Sequence, residues 1–434
     1  MTTDRTLVVA DDLTGGTDTG HSFAARGYET VVRIDPDFDA PDAAVLVVDT
    51  DSRYVGRDEA AARVRDVVAS TAAAVVYKKV DSTLRGNLGA EIVAAYDAMD
   101  ADAAAVAPAF PSNDRVTACG HHLVGGELIT DTETGNDPDS PIETSHLPCF
   151  LGTQIDDPIV HAEVERVASR TAVAALSRGD DGSTDADAAD ARRIVAFDAV
   201  HDAHLDVVAE AARDHDGDVL LVGSAGLAER VRLPGVPAAE RPTVAADPTG
   251  TAFGVAGSVN PKTLTQLAEL SERQIVDFDG ALAVRDPTEA GATAAEECLE
   301  RFETELAVVL ASARARSDVE ATLEAASQVG VSERAARERV TTALGTAAAH
   351  VWAEREPRGL FLTGGAVAKA VLGALEADGI ALRGEEVAVG VPGGEVRGGR
   401  ADGTPVVTKA GAFGEDSTVV DALEYLRRVP RGSK

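Results

Sequence analysis

The chain has 434 residues, enough for two or three domains at roughly 150 residues each. Hydrophobic residues make up 44%, which excludes intrinsic disorder because that much apolar surface can offset the entropy of ordering. Forty Lys and Arg against 73 Asp and Glu leave a net charge of −33, and this repulsion excludes nucleic acid and anionic membrane as partners.

No apolar run is long enough for a membrane helix. The three cysteines, Cys119, Cys149 and Cys298, are odd in number and lack C-x-x-C spacing. They support neither a disulfide framework nor a zinc site. The start MTTDRTLVVADD reads as a strand rather than a signal peptide, so a soluble, cytoplasmic protein is expected. Lysine is confined to Lys78, Lys79, Lys262, Lys369, Lys409 and Lys434. Such an acidic, lysine-poor composition is that of a halophilic protein adapted to molar salt. There the screening length falls to about 3 Å, from roughly 10 Å at 0.1 M. Lysines kept against this trend are the more informative.

In chain order, TLVVADD (6–12) is a buried strand ending in two carboxylates. A Gly-rich loop, LTGGTDTG (13–20), leads into the helical HSFAARG. ETVVRI (29–34), AVLVVDT (44–50), AAVVYKKV (73–80) and AAAVAPAF (103–110) are strands, with DEAAARVRDVVAS (58–70) helical among them. RIVAFDA (193–199) and DVLLVGSAG (218–226) continue this alternation, which specifies βαβ units and a parallel sheet. The four prolines of 233–250 mark a linker. Beyond it, strands at 251–259, 305–312, 359–365 and 405–414 alternate with helices at 332–355, 366–379 and 417–428. The expectation is an α/β protein of two domains with mostly parallel sheets: 1–235, a linker at 236–250, and 251–434.

Open α/β sheets bind ligands beyond the carboxyl ends of their strands, so the residues after each strand carry the information. Asp11 and Asp12 could hold a cation or accept a hydroxyl proton there; capping of the next helix by Asp12 or Thr14 is the alternative. KKVDSTLRGN (78–87) is the most polar strand exit, and its Arg85 suits bidentate binding of a carboxylate. Arg53 in DTDSRYV (49–55) is a second such ligand. In the second half GSVN (257–260), LTGGAVAKA (362–370) and KAGAFG (409–414), with VPGG (391–394), offer glycine turns where backbone N–H groups can approach phosphate. Neither G-x-x-x-x-G-K-[ST] nor G-x-G-x-x-G occurs at these exits, so a P-loop or a standard dinucleotide fold is disfavoured. His121 and His122 read as loop residues without metal partners, and GSAGLAERV (223–231) as a packing turn.

Taken together, VVADDLTGGTDTG, DTDSRYV, KKVDSTLRGN, APAFPSNDRVTACG, SPIETS, LLVGSAGLA, GSVNPKTLTQ, LFLTGGAVA, VPGG and KAGAFG resemble the four-carbon acid-sugar kinases. These phosphorylate threonate, erythronate or 3-oxo-tetronate, and the likeness runs from about residue 7 to 414. It implies an N-terminal domain for the acid sugar, a C-terminal domain for ATP, and an interdomain active-site cleft. Carried over by position, Asp12, Arg53 and Ser82, Thr83, Leu84 and Arg85 are substrate-binding residues. Ser258, Gly364, Gly365, Ala366, Val367 and Gly411 are the ATP-binding ones. The family usually has G-G-D-T-A where this chain has Gly364-Gly365-Ala366-Val367-Ala368. An Asp and a hydroxyl are therefore missing.

The implied reaction is transfer from ATP, with Mg²⁺, to the terminal hydroxyl of a four-carbon acid sugar. Asp12 would take the hydroxyl proton, with Asp81 the next carboxylate, and Lys79 or Lys409 would stabilise the phosphoryl group. Metal ligands are unassigned. A nucleotide-dependent oxidoreductase and a catalytically inactive sugar-acid-binding protein are the competing readings.

Overall fold

The computed structural model describes residues 5–40, 42–137, 140–177, 191–233 and 250–431. Apart from Gly250, the expected linker lies outside these residues. Strands follow in order as β1 (Thr6–Ala10), β2 (Thr30–Arg33), β3 (Val45–Asp49), β4 (Val75–Lys79) and β5 (Ala103–Ala107). Next come β6 (Arg115–Ala118), β7 (His121–Val124), β8 (Glu127–Leu128), β9 (Ile159–Ala162), β10 (Ile194–Phe197) and β11 (Val219–Gly223). The later strands are β12 (Ala252–Ala256), β13 (Ile275–Asp277), β14 (Ala307–Ala311) and β15 (Gly359–Thr363). The last are β16 (Gly379–Ala388), β17 (Val391–Arg397) and β18 (Pro405–Lys409).

Two compact units result: Met1–Phe23 with Ala43–Pro237, and Ala24–Asp42 with Ala238–Lys434. In the first, β3-β1-β4-β11-β5-β10-β9 pair in that order, all parallel. The runs TLVVA, VLVVD and AAAVA are apolar at nearly every position because helices cover both faces of a parallel sheet. A small antiparallel meander, β6-β7-β8, stands apart.

In the second unit β13-β14-β12-β15-β18 are parallel, and β17, β16 and β2 extend the sheet antiparallel. Val309, Phe361, Val407 and Leu423 belong to its main core. The segment carrying β2 therefore belongs with the second unit: Val31 and Val32 pair with Ala381 and Ile380.

Three expectations need correction. The Gly-rich stretch 13–20 is not a loop but the start of the helix Leu13–Ala24. Gly16 lies against β1 and β3, where a Cβ would come 3.0 Å from Ala10 Cβ and 3.2 Å from Val47 Cγ1. The VPGG sequence is not a turn but the buried beginning of β17, which lets Tyr425 and Ile380 pack on Gly393 and Gly394. His121 and His122 are not in a loop; they open β7. Among the described residues no helix is long and apolar enough to cross a membrane.

Candidate active site

β1, β3 and β4 are neighbours in register, so their carboxyl ends bring Asp11, Arg53 and Asp81 into one charged cluster. Arg53 donates through Nε and Nη2 to Asp11 at 2.7 and 3.0 Å, and through Nη2 to Asp12 at 2.5 Å. Burial works against the Asp11 carboxylate, but Arg53 and the two lysines of β4 outweigh it and hold its pKa below the ordinary value. Asp12 also accepts from Thr14 Oγ1 at 2.6 Å and from the Gly15 amide at 3.3 Å. It thus caps the helix Leu13–Ala24 while remaining part of the charged cluster.

The next strand exit supplies the second half of the cluster. Asp81 accepts from Thr83 Oγ1 and from Arg85 Nε, both at 2.6 Å, and Arg85 Nη1 lies 3.5 Å from Asp137. Against the cost of burial, Arg53 and Arg85 hold the Asp81 carboxyl far below its ordinary range. The turn is tight: Leu84 has φ +60° and Gly86 φ +101°, and a Cβ on Gly86 would press on Arg53. Leu84 is fully buried, so only its backbone can face a ligand. Ser82 is fixed through its carbonyl, which accepts from His122 Nε2 at 2.8 Å. Lys79 Nζ donates to the Val80 carbonyl at 2.8 Å and lies 3.0 Å from where a Gly15 Cβ would be, next to Asp12.

Each guanidinium keeps a terminal nitrogen that these carboxylates do not engage, Nη1 of Arg53 and Nη2 of Arg85. The chemistry on offer is two-sided. Ionised carboxylates accept hydroxyls, and arginine nitrogens take a carboxylate.

Beneath this cluster lies a network that the motifs did not reveal. Lys78 Nζ is 2.9 Å from Glu91, Ser52 Oγ donates to Glu91 at 2.5 Å, and Thr50 and Ser52 share a hydrogen bond at 2.7 Å. Lys78 and Glu91 are 0% and 1% exposed. Burial pushes the Glu91 carboxyl above its ordinary value despite the pull of Lys78. The one available signal was Glu91, an acid in the first turn of the largely apolar helix Leu88–Met99.

In the second unit the exits of β12, β15 and β18 converge, because these strands are adjacent. A Cβ on Gly411 would meet Ser258 Oγ at 2.4 Å, and one on Gly364, where φ is +93°, would lie 3.1 Å from the Ser258 amide nitrogen. Ser258, Gly364 and Gly411 thus form one patch. The helix Gly365–Ala374 starts at Gly364 without a side-chain cap, Ala366 is exposed, and the Thr363 hydroxyl is buried without a hydrogen-bond partner. Uncapped N–H groups at the start of a helix suit a phosphate. Val367 packs on Gly257, so the branched shape of the family's usual Thr is kept while its hydroxyl is lost.

Lys409, expected as a phosphoryl ligand, is buried beside this patch with its ammonium already engaged. It is 0% exposed and donates to Thr263 Oγ1 and to the carbonyls of Ala410, Gly411 and Phe413 at 3.0–3.4 Å. Burial, with Lys262 nearby, lowers its pKa to about 8. Among the described residues no group of three or more His, Cys, Asp or Glu is placed to hold a metal ion.

Comparison with known proteins finds a separate family match in each half of the chain. Residues 6–231 match the family described as a sugar-binding N-terminal domain, and residues 253–419 match a nucleotide-binding C-terminal domain. A D-threonate kinase of Salmonella typhimurium is 33% identical, covering 98% of this chain and 99% of its own. The D-threonate kinase of Bordetella bronchiseptica is 35% identical over 97% of both chains. A D-erythronate kinase of Heliobacterium modesticaldum is 28% identical over 97% and 96% of the two chains. A crystal structure from Salmonella typhimurium, described as a putative tRNA synthase, shares the fold. It has a TM-score of 0.76 at 23% identity, covering 96% of this chain and 98% of that one. With the match running through both halves, the chain belongs to the four-carbon acid-sugar kinase family.

Proposed function

We propose that this chain transfers the terminal phosphoryl group of ATP to the terminal hydroxyl of a four-carbon acid sugar of the threonate and erythronate class. The observation that carries the reading is the Arg53–Asp11–Asp12 cluster with Asp81 and Arg85. Ionised carboxylates and partly engaged arginines together match a small molecule bearing one carboxylate and several hydroxyls. Threonate kinases alike over the whole chain support the same substrate class.

Phosphoryl transfer demands little covalent chemistry of the protein; positioning and charge stabilisation do most of the work. Arg53 Nη1 and Arg85 Nη2 bind the substrate carboxylate. Asp12, kept close to Arg53, accepts the hydroxyl hydrogen bond, orients the oxygen and takes its proton as the bond to the terminal phosphorus forms and the bond from that phosphorus to the departing ADP breaks. Lys79, beside Asp12, is the cation available to the developing charge. Ser258, Gly364 to Val367 and Gly411 would hold the ATP phosphates through backbone N–H groups and the Ser258 hydroxyl. ATP supplies the phosphoryl group. Mg²⁺, when bound, would neutralise the ATP phosphates, which together with one or two carboxylates usually carry this ion.

An ADP-release assay over D-threonate, D-erythronate and their 3-oxo relatives tests the reading. Turnover on at least one of these acids is expected. ATP that neither binds nor turns over with any acid refutes it. The acidic, lysine-poor composition supports a cytoplasm rich in salt, so the assay belongs in molar KCl.

A further inference from the structure

The carboxyl ends of five strands of the second unit lie in one row. Asp277 pairs with Ala311, Ala311 with Ala256, Ala256 with Thr363, and Thr363 with Lys409. From β12 the chain first builds β13 and β14 on one side and then β15 and β18 on the other. β12 is therefore the point where strand order reverses, the place where open α/β sheets form their ligand crevice. The glycine turns occupy the β15 and β18 side. On the other side, beyond β13 and β14, lies a cavity of about 630 Å³, within the roughly 300–1,000 Å³ of small-molecule sites.

The two are contiguous. Ser312, which lines the cavity, donates its amide to the Ala256 carbonyl at 2.8 Å, and Gly257-Ser258 follow directly. Their chemistry differs. Ala311, Ala313 and Gly280 line the cavity with little side-chain bulk, and the half-buried Phe278 supplies a ring. Its one cation, Arg314, is already held by Glu272 at 2.6 Å and lies 3.5 Å from Asp277. Asp279 and Asp318 accept from backbone amides and cap helices. Asp277 is different: its side chain is 72% exposed, with that long Arg314 contact. Such a cavity repels phosphate and welcomes hydroxyl donors and a flat ring.

We propose that this cavity receives the nucleoside half of the nucleotide, with Asp277 accepting hydrogen bonds from the ribose hydroxyls and Phe278 flanking the base. The inference rests on the kinase reading and extends it from the phosphates to the nucleoside. A ribose hydroxyl bonded to a carboxylate is worth roughly tenfold in affinity or more.

The test is calorimetric titration in molar KCl, without acid sugar, using ADP, 2′,3′-dideoxy-ADP and inorganic tripolyphosphate. Ala281→Phe places a ring in the cavity from the helix Gly280–Arg285, and Asp277→Asn changes only an exposed side chain. Ala281→Phe should weaken ADP by about tenfold or more and leave tripolyphosphate within about threefold. Asp277→Asn should weaken ADP roughly tenfold and leave dideoxy-ADP unchanged, which decides the matter even if Ala281→Phe folds poorly. ADP bound equally by wild type and both variants overturns the cavity assignment alone. So does a loss in Asp277→Asn that is as large for dideoxy-ADP. A folded wild type that binds neither ADP nor tripolyphosphate overturns the kinase reading with it.

Discussion

Arg53 grips both oxygens of Asp11, at 2.7 and 3.0 Å, with the same guanidinium that reaches Asp12. Asp11 is the fully buried partner and Asp12 the accessible one, at 2% and 22% side-chain exposure. The arrangement separates two tasks that adjacent carboxylates would otherwise share. Asp11 fixes the arginine, and Asp12 keeps the more exposed carboxylate.

Asp12→Asn keeps size and capping but removes charge and basicity, so kcat should fall roughly 10²–10⁴-fold. The melting temperature should change little. Both are measured in molar KCl at saturating ATP and acid sugar. Turnover within about threefold of wild type would remove Asp12 from proton transfer and make Asp81 the carboxylate to test.

Glu91→Gln leaves Lys78 buried without its carboxylate, which should destabilise the fold by about 3–5 kcal/mol. The double variant Lys78→Met/Glu91→Leu, apolar throughout, should recover most of that loss. Urea unfolding measures both. A single variant within about 1 kcal/mol of wild type would show that Lys78 and Glu91 are both uncharged in the folded protein rather than an ion pair.

His122 gives a signature in pH. Burial pushes its pKa down to about 4, from 6.5 in an unfolded chain. Between these values the unfolded state binds the extra proton, so stability is full above pH 6.5 and falls as pH drops towards 4. The loss approaches about 3 kcal/mol. In His122→Gln this part of the acid-side decline should vanish, which denaturant melts across that pH range would show. An unchanged slope would mean that His122 is protonated in the native state.

Ala366 is exposed near the start of the helix Gly365–Ala374. Ala366→Asp therefore meets no steric barrier and suits the positive end of the helix dipole. ATP binding in Mg²⁺ should be kept or strengthened, as calorimetry would show. A folded variant with no binding would mean that this turn serves another ligand.

At −33 net charge the fold should depend on salt. Circular dichroism should show loss of structure on dilution into about 50 mM salt and recovery in molar KCl. Full stability at the lower concentration would refute the salt adaptation.

Most strands were legible because an apolar run bounded by polar residues specifies a buried parallel strand wherever it sits, as TLVVA and AAAVA do. The carboxylates and arginines after those strands were legible for the same reason. Their partners were not. Arg53 and Asp11 are 42 residues apart, and only the β1–β3 pairing brings them together. The glycines of 13–20 read as a loop because intrinsic propensity disfavours Gly in helices. Close packing on Ala10 and Val47 overrides that preference. Lys409 looked like a phosphate ligand by position, yet the carbonyls of its own turn draw it inward.

The pairing of β2 with β16 has a consequence on the ribosome. Val31 and Val32 leave the tunnel long before Ala381 and Ile380, their partners in the sheet. At about 5–20 residues per second the wait is roughly 20–70 s. Throughout it, β2 is an apolar strand without its β16 neighbour, tethered between segments that are already free to fold. Chaperone capture, if it occurs during synthesis, should centre on residues 24–42.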